Sequence, residues 1–358
     1  IESSRLKKTL KYFRNKIFSL PIFFCDLFIE CKVKYSDLLR DHNFDKQYQG
    51  LEHHITSSLA RYYLSSTDAK SVASENSYYE DRDKLTENAY FSYNTALAAD
   101  KKYKPDFILS SHGIYSTWGP FFEYFKNKKT TAICYEYNCF KPGTVDISLN
   151  DLASTRCDSN FFTHFNEFIS SNNLHSHVKD LSTKIIADRM LYKSKDQDLF
   201  DNKALLNKQD DLILKKLKNI ESGNHVVGIF PNLLWDNATT FKHLNTVFTS
   251  VAEWIIETVS TLLEKKNITV VLRIHPAERG GGKRVRKGVY EIIRENLPDA
   301  LNNSNLIIVQ PDDKFSSYTL FEYLDVATIY NGTIGYELLA REIPTIIASK
   351  APFSKCIN

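Results

Sequence analysis

The sequence predicts an α/β fold, and three observations carry this prediction. From Val226 onward, apolar runs of strand length alternate with amphipathic stretches of helix length. Such alternation is typical of a parallel sheet covered by helices on both faces. A shorter series of the same kind lies at 107–136. The 358 residues, 42% hydrophobic and 25% charged, have ordinary globular composition and are enough for two domains.

The second half divides into predicted strands and helices in turn. Val251, Ile255 and Val259 recur at helical spacing, and this apolar stripe predicts a helix that packs on the core, with Trp254 near it. The whole pattern is Rossmann-like. The predicted strands are 226–231, 268–275, 306–310, 326–330 and 345–348, and the predicted helices are 247–263, 289–297, 318–323 and 334–340.

The first half gives fewer clear signals. Strands are predicted at 107–109 and 131–136, each with a polar end, and a helix at 118–126 joins them into a βαβ unit. Residues 150–211 are mostly polar with helical tendency. We therefore expect two Rossmann-like domains that face one cleft. The N-terminal domain, with helical additions, spans 1–205, and the C-terminal domain spans 206–358.

Charge and cysteine content narrow the class of protein. The net charge is +3, from 46 basic and 43 acidic residues, which gives no global case for binding nucleic acid. The six cysteines lie far apart without metal-site spacing, as expected of structural thiols in the cytosol. The apolar stretch 18–29 contains Pro21 and Asp26 and is shorter than the roughly 20 residues that span a bilayer.

The segment 5–17 is basic and amphipathic. Such a pattern suits either an ordinary solvated helix face or a helix lying on anionic lipid. We expect a cytoplasmic protein, with peripheral contact to the inner membrane as one alternative.

Two strand ends of the second half carry polar residues that suit a ligand. Ligands of open α/β sheets bind beyond the carboxyl ends of the strands. His275 follows one strand and can donate a hydrogen bond to a phosphate oxygen, with Arg273 or Glu278 tuning it, although it could simply cap the strand end. Pro276 stops that strand.

A turn at 331–333 lies between another strand and the helix that begins near Ile334. Gly332 lets the backbone approach a ligand, Thr333 can cap the helix, and the free amides beside Asn331 favour an anion. A plain βα turn would use the same residues. Glu337, one turn along, could accept hydrogen bonds from ribose hydroxyls or be a solvated helix residue. Ser316 and Ser317 precede another short helix and could line the same cleft or only cap that helix.

Three residues are candidate general bases. His112 and Glu136 follow consecutive strands of the first half, and either could take a proton from an acceptor hydroxyl. Asp236 follows a strand of the second half and could be a base or an N-cap. A metal-dependent enzyme would favour an Asp-x-Asp pair at a strand end. Because Asp81-Arg-Asp83 and Asp196-Gln-Asp198 lie in nonperiodic surroundings, no essential metal and no cofactor is predicted.

At His275-Pro276 and at 331–337, followed by Ile343-Pro344-Thr345, the chain resembles bacterial capsule polysaccharide biosynthesis proteins. These are glycosyltransferases of GT-B fold, and the resemblance is closest to Kdo transferases and to bacterial sialyl- and polysialyltransferases that use CMP-sugars. It covers 226–355 and implies that His275 and Thr333, with Ser317, contact the donor phosphate. It also implies that Glu136 or His112 is the base. The chain departs from the sialyltransferases in having Asn-Gly-Thr where they have serines.

The resemblance implies an inverting, metal-independent transferase that moves a sugar, preferably from a CMP-sugar, to a glycan or glycolipid acceptor of a surface polysaccharide. It also implies capsule assembly proteins as one alternative partner. Three alternatives stay open: a nucleotide-sugar epimerase, a teichoic-acid type glycerophosphotransferase, and a non-catalytic subunit of capsule assembly.

Overall fold

The structure is a computed structural model, and it describes residues 50–64, 74–137, 145–151, 167, 169–191, 211–220, 222–236, 247–281, 287–349 and 351. Three features predicted from the sequence lie outside the described residues: the basic segment 5–17, the apolar stretch 18–29 and the domain boundary at 205/206. Cys134 is buried, and the other five cysteines lie outside. In the described ranges, no helix is both long and apolar enough to cross a bilayer.

Five parallel strands form the sheet of the second half, in the order β6-β5-β4-β7-β8. The central strand β4 pairs with β5 through Val227 and Val270, and with β7 through Val227 and Val326. The predicted α/β fold with a parallel sheet is therefore confirmed for this half. The strands are β4 (His225–Phe230), β5 (Ile268–Arg273), β6 (Leu306–Val309), β7 (Val326–Ile329) and β8 (Thr345–Ile347).

Helices cover both faces of this sheet, and alternate strand residues face them. Val270 and Leu272 of β5 pack with Trp254, whereas Val271 packs on the opposite face with Leu338. This is the period of two expected of a strand buried on both sides. The helices are α5 (Asp211–Lys218), α6 (Val251–Leu263), α7 (Val289–Asn296), α8 (Ser317–Leu320) and α9 (Ile334–Ala340), with 3₁₀ turns at Pro276–Gly281, Pro298–Asn302 and Phe321–Tyr323.

The described part of the first half contains a mixed three-stranded sheet. Strand β1 (Phe107–Ser111), helix α3 (Gly119–Lys126) and strand β2 (Thr131–Tyr137) form the predicted βαβ unit, and β1 and β2 are parallel. Strand β3 (Val145–Leu149) pairs antiparallel with β2 and was not predicted. The described residues of this half therefore show less than the full parallel sheet expected for a first Rossmann-like domain.

Three further helices complete the described chain. Helix α1 (Glu52–Tyr63) packs on α2 (Glu75–Tyr103), where Ile55, Leu59 and Ala89 share one apolar cluster. Leu64, which follows α1, packs against the core of the second sheet. Helix α4 (His175–Met190) contacts α9 near its own C-terminal end. Both halves are therefore joined by side chains from helices that precede β4.

Candidate functional site

The candidate site lies at the carboxyl edge of the second sheet. The strand order reverses direction at β4, since β5 and β6 lie on one side of it and β7 and β8 on the other. Such a switch point opens a crevice between the loops that leave the two central strands. Because β5, β4 and β7 run parallel, His275 and Asn331 lie at the same edge, roughly 10 Å apart for strands spaced by about 4.8 Å. The structure thus brings together the two predicted ligand-binding turns.

His275 is held as a neutral hydrogen-bond donor. The backbone N–H of Ala277 donates to its Nδ1 at 3.0 Å, so the proton of the neutral ring is at Nε2. Burial, and then the positive charge of Arg273, lowers the pKa of His275 from its ordinary 6.5 to about 4. The imidazole therefore stays uncharged at neutral pH, with its proton on Nε2. This agrees with the predicted phosphate contact, which remains a prediction.

The turn at 331–333 is braced by asparagine side chains. Asn232, just after β4, accepts a hydrogen bond from the N–H of Asn331 at 2.9 Å, and Asn331 Oδ1 accepts one from Gly332 N–H at 2.7 Å. Gly332 has φ +111°, and a Cβ there would lie 3.1 Å from Asn232 Nδ2. Gly332 is thus required by backbone angle and by close approach. Two of the amides predicted to be free for a ligand are hydrogen-bonded within the protein.

Thr333 and Glu337 both bind Arg189 of α4. The Nε atom of Arg189 donates to Glu337 Oε1 at 2.6 Å, and Nη2 donates to Thr333 Oγ1 at 3.2 Å. Arg189 and Glu337 are only 4% and 3% exposed. Glu337 is therefore part of a buried ion pair and not a solvated helix residue. Thr333 takes the predicted N-cap position of α9, but its hydroxyl makes no capping hydrogen bond and instead accepts one from Arg189.

Arg273 anchors the segment between β6 and α8. It is 2% exposed and donates to the carbonyl oxygens of Gln310 at 2.6 Å and Phe315 at 3.2 Å, and to Ser317 Oγ at 3.4 Å. Ser316 accepts a hydrogen bond from the N–H of Tyr318 and caps α8, as the sequence allowed. These residues shape the edge of the crevice near His275 from the side of β6.

Glu278 lies in the 3₁₀ turn after His275, and the pKa of its carboxyl group is shifted by its surroundings. Its Oε2 accepts a hydrogen bond from the N–H of Val289 at 3.0 Å. Its Oε1 is buried without a hydrogen-bond partner among the described residues. Burial raises the pKa of Glu278 from 4.5 to about 7, with the N–H of Val289 lowering it and the charge of Glu291 raising it. The carboxyl group is therefore partly protonated at neutral pH.

The two candidate bases of the first half lie side by side at the carboxyl ends of β1 and β2. His112 Nε2 is 3.9 Å from Glu136 Oε1, and Ser111 Oγ is 2.5 Å from His112 Nδ1. His112 has φ +59°, a left-handed conformation that costs energy in a residue with a side chain and that is common at functional sites. Burial, and then the charge of Arg61, lowers the pKa of His112. A neutral imidazole beside a carboxylate suits proton removal.

Asp236 lies at the carboxyl edge of β4, where its N–H donates to Leu233 O at 3.0 Å. The segment that follows, 237–246, with the helix start that Asp236 was expected to cap, lies outside the described residues. The next described helix, α6, is capped by Ser250, which accepts a hydrogen bond from the N–H of Glu253 at 3.1 Å.

Two contributors to the site were not predicted from the sequence. Arg189 is 148 residues from Glu337, and it lies in a polar stretch where an arginine looks like any solvated residue. Asn232 is 99 residues from Asn331, although its place just after an apolar run could have indicated a strand-end residue. No protein family, no curated protein and no solved structure matches this chain.

Proposed function

We propose that the chain is an inverting, metal-independent glycosyltransferase with a GT-B arrangement, using a nucleotide sugar as donor and a glycan or glycolipid as acceptor. One observation carries the proposal: His275 and the turn at 331–333 flank the switch point of a parallel sheet from the same edge. In sheets of this kind the crevice at that point binds nucleotides. The sequence resemblance to capsule polysaccharide glycosyltransferases points in the same direction and favours a CMP-sugar.

In the proposed mechanism, His275 acts on the leaving group. The departing nucleotide phosphate gains charge as the glycosidic bond breaks, and the Nε2–H of His275 donates a hydrogen bond to it. A donor that is already oriented by the protein backbone stabilises this charge without reorganising. The buried surroundings that keep the ring neutral also strengthen the interaction.

The acceptor would be activated from the first half. His112 takes the proton of the acceptor hydroxyl, and Glu136 stabilises the imidazolium that forms. The oxygen then attacks the anomeric carbon from the face opposite the phosphate, which inverts the configuration. Removing a general base of this kind slows the chemical step by about 10²- to 10⁴-fold.

Donor binding can be tested with a thermal shift screen of CMP, UDP, GDP and CDP on the full chain. A nucleotide that binds only the folded state raises the melting temperature. We expect one nucleotide to do so, and His275→Ala to remove most of that shift. His225→Ala is the matched control, because His225 begins β4 at the opposite edge of the sheet and its side chain is 67% exposed. Equal loss of the shift in both variants would contradict the assignment of the site.

Catalysis is tested with the nucleotide sugar that the screen selects. His112→Gln and Glu136→Gln should each lower kcat with little change in donor affinity, measured as release of nucleotide in the presence of glycan acceptors. Conversion of the nucleotide sugar without any acceptor would instead identify an epimerase. Full activity in both variants would reject this pair as the base.

A further inference from the structure

A cluster of three potential metal ligands lies where α1 meets α3. His53 and His54 begin α1, and Glu123 lies on α3. Glu123 Oε2 is 3.1 Å from His53 Nε2 and 2.9 Å from His54 Nε2. The three ligand atoms lie within 4.8 Å of one another. Two imidazole nitrogens therefore converge on one carboxylate oxygen.

The backbone fixes which nitrogen of His54 carries the proton. Nδ1 of His54 lies against the carbonyl oxygen of Ile114. A carbonyl oxygen can only accept a hydrogen bond, so Nδ1 is the donor and the neutral ring has its lone pair on Nε2. That lone pair points at Glu123 Oε2, which is an acceptor as well. The contact is unfavourable unless a positive charge lies between the two atoms.

A second proton on His54 would supply that charge at a cost. His54 is only 1% exposed, and the ring centroids of His53 and His54 are 3.7 Å apart. The buried imidazolium would lose its hydration, and it would be repelled by His53 whenever that ring is protonated as well. A single divalent cation would instead satisfy both nitrogens and the oxygen at once, with both rings neutral.

The surroundings of His54 resemble the support that proteins give to a metal-binding histidine. Such histidines usually donate their second N–H to a backbone carbonyl or a carboxylate, which orients the ring. Ile114 provides this carbonyl. Gly119 leaves the space for the ring, since a Cβ on Gly119 would lie 2.0 Å from His54 Nδ1. The imidazole is thus seated before any ion arrives.

The ligand types select the metal. Two imidazoles and one carboxylate suit Zn²⁺ better than Mg²⁺ or Ca²⁺, which prefer oxygen. Zinc binds these atoms at about 2.0–2.2 Å, so tetrahedral ligand atoms lie about 3.3 Å apart. The side chains of His53 and Glu123 are 35% and 38% exposed, so they can move outward slightly to reach this spacing. Their outer side also leaves room for water as a fourth ligand.

We propose that His53, His54 and Glu123 form a zinc-binding site that links α1 to α3. The ion has no assigned role in the proposed sugar transfer. No local sequence pattern indicates this site, because His54 and Glu123 are 69 residues apart.

The test uses the full chain after treatment with a chelator. Isothermal titration with ZnCl₂ should show one equivalent of zinc, and Co²⁺ should give the visible absorption of a four-coordinate site. His53→Ala and Glu123→Gln should each weaken zinc binding by at least about 10-fold, the loss that even an outer partner causes. His177→Ala removes an exposed histidine on α4 and should leave the affinity unchanged.

Two outcomes would overturn the proposal. The first is the absence of one-to-one zinc binding by the unmodified chain, which would leave a proton-bridged His–Glu cluster. The second is equal affinity in His53→Ala, Glu123→Gln and His177→Ala, which would place the zinc elsewhere. Because His53 and Glu123 are half-exposed, these variants avoid the cavity that removal of His54 would create. Circular dichroism in chelator checks that they are folded.

Discussion

Breaking the buried pair between Arg189 and Glu337 should destabilise the protein far more than breaking an exposed pair. The two side chains are each 5% exposed and 2.6 Å apart. Removing one partner leaves the other charge buried without its main counterion, which typically costs 3–5 kcal/mol. We therefore expect Arg189→Leu and Glu337→Gln each to lower the free energy of unfolding by about 3–5 kcal/mol.

The matched control is the pair of Arg82 and Glu52, which has a similar N···O distance of 2.7 Å but side chains 30% and 61% exposed. Glu52→Gln should cost less than about 1 kcal/mol. Unfolding in urea measures both losses, provided that the dependence on urea concentration is unchanged. Arg189→Leu combined with Glu337→Gln should lose less than the sum of the two single changes, because neither charge of the pair remains.

Two results would refute this reasoning. One is a loss below 1 kcal/mol for Arg189→Leu, as for an exposed pair. The other is additivity of the two single changes in the double variant. The experiment also bears on the predicted ribose contact. A variant Glu337→Gln with normal stability but weaker nucleotide binding would assign Glu337 to the ligand.

Three further predictions concern single residues. The pKa of Glu278 is raised from 4.5 to about 7 in the folded protein, so the free energy of unfolding falls as pH rises through this window. In urea unfolding, the stability of Glu278→Gln relative to wild type should therefore increase by up to about 3 kcal/mol between pH 4.5 and pH 8. Equal pH profiles of the two proteins would contradict this. The pKa of His275 is lowered from 6.5 to about 4, so the free energy of unfolding falls as pH drops through that window. His275→Gln should reduce this loss of stability by up to about 3 kcal/mol. The same dependence of stability on acid pH in the variant and in wild type would count against a buried neutral ring. Gly119→Ala places a Cβ too close to the ring of His54 and should lower the free energy of unfolding, measured by thermal melting, by about 3 kcal/mol. A loss of stability below about 0.5 kcal/mol would show that the ring moves freely.

The sequence was sufficient to predict the second sheet because each strand there is buried on both faces. Such strands are short continuous apolar runs, and the helices between them carry apolar stripes, as in α6. The long helix α2 was not predicted, since its polar and tyrosine-rich sequence has only weak helical patterning. The antiparallel strand β3 was missed for a different reason. Its side chains Ile147 and Leu149 are exposed, so burial does not mark it.

The sequence predicted which residues of the candidate site lie at strand ends, but not which residues contact one another. The ends of the apolar runs predicted that His275, the turn at 331–333 and the neighbours His112 and Glu136 lie at strand ends, where the structure has them. Their functional roles stay predictions. The partners that hold them are set by tertiary structure. Neither Arg189 nor Asn232 has a local pattern that points to a residue 148 or 99 positions away. The sequence therefore predicted which residues lie at the edge of the sheet, but not the hydrogen bonds with Arg189 and Asn232 that hold them in place.

Helix α1 has a mechanical consequence for the molecule. It packs on α2, and the charge of its residue Arg61 lowers the pKa of His112. Leu64, which follows the helix, packs against the core of the second sheet. Any rotation of one sheet against the other must carry α1 along or pull Leu64 out of apolar surroundings, at up to about 2 kcal/mol for a leucine. Helix α1 thus couples the two sheets, and a displacement of one sheet would be transmitted to the other through it.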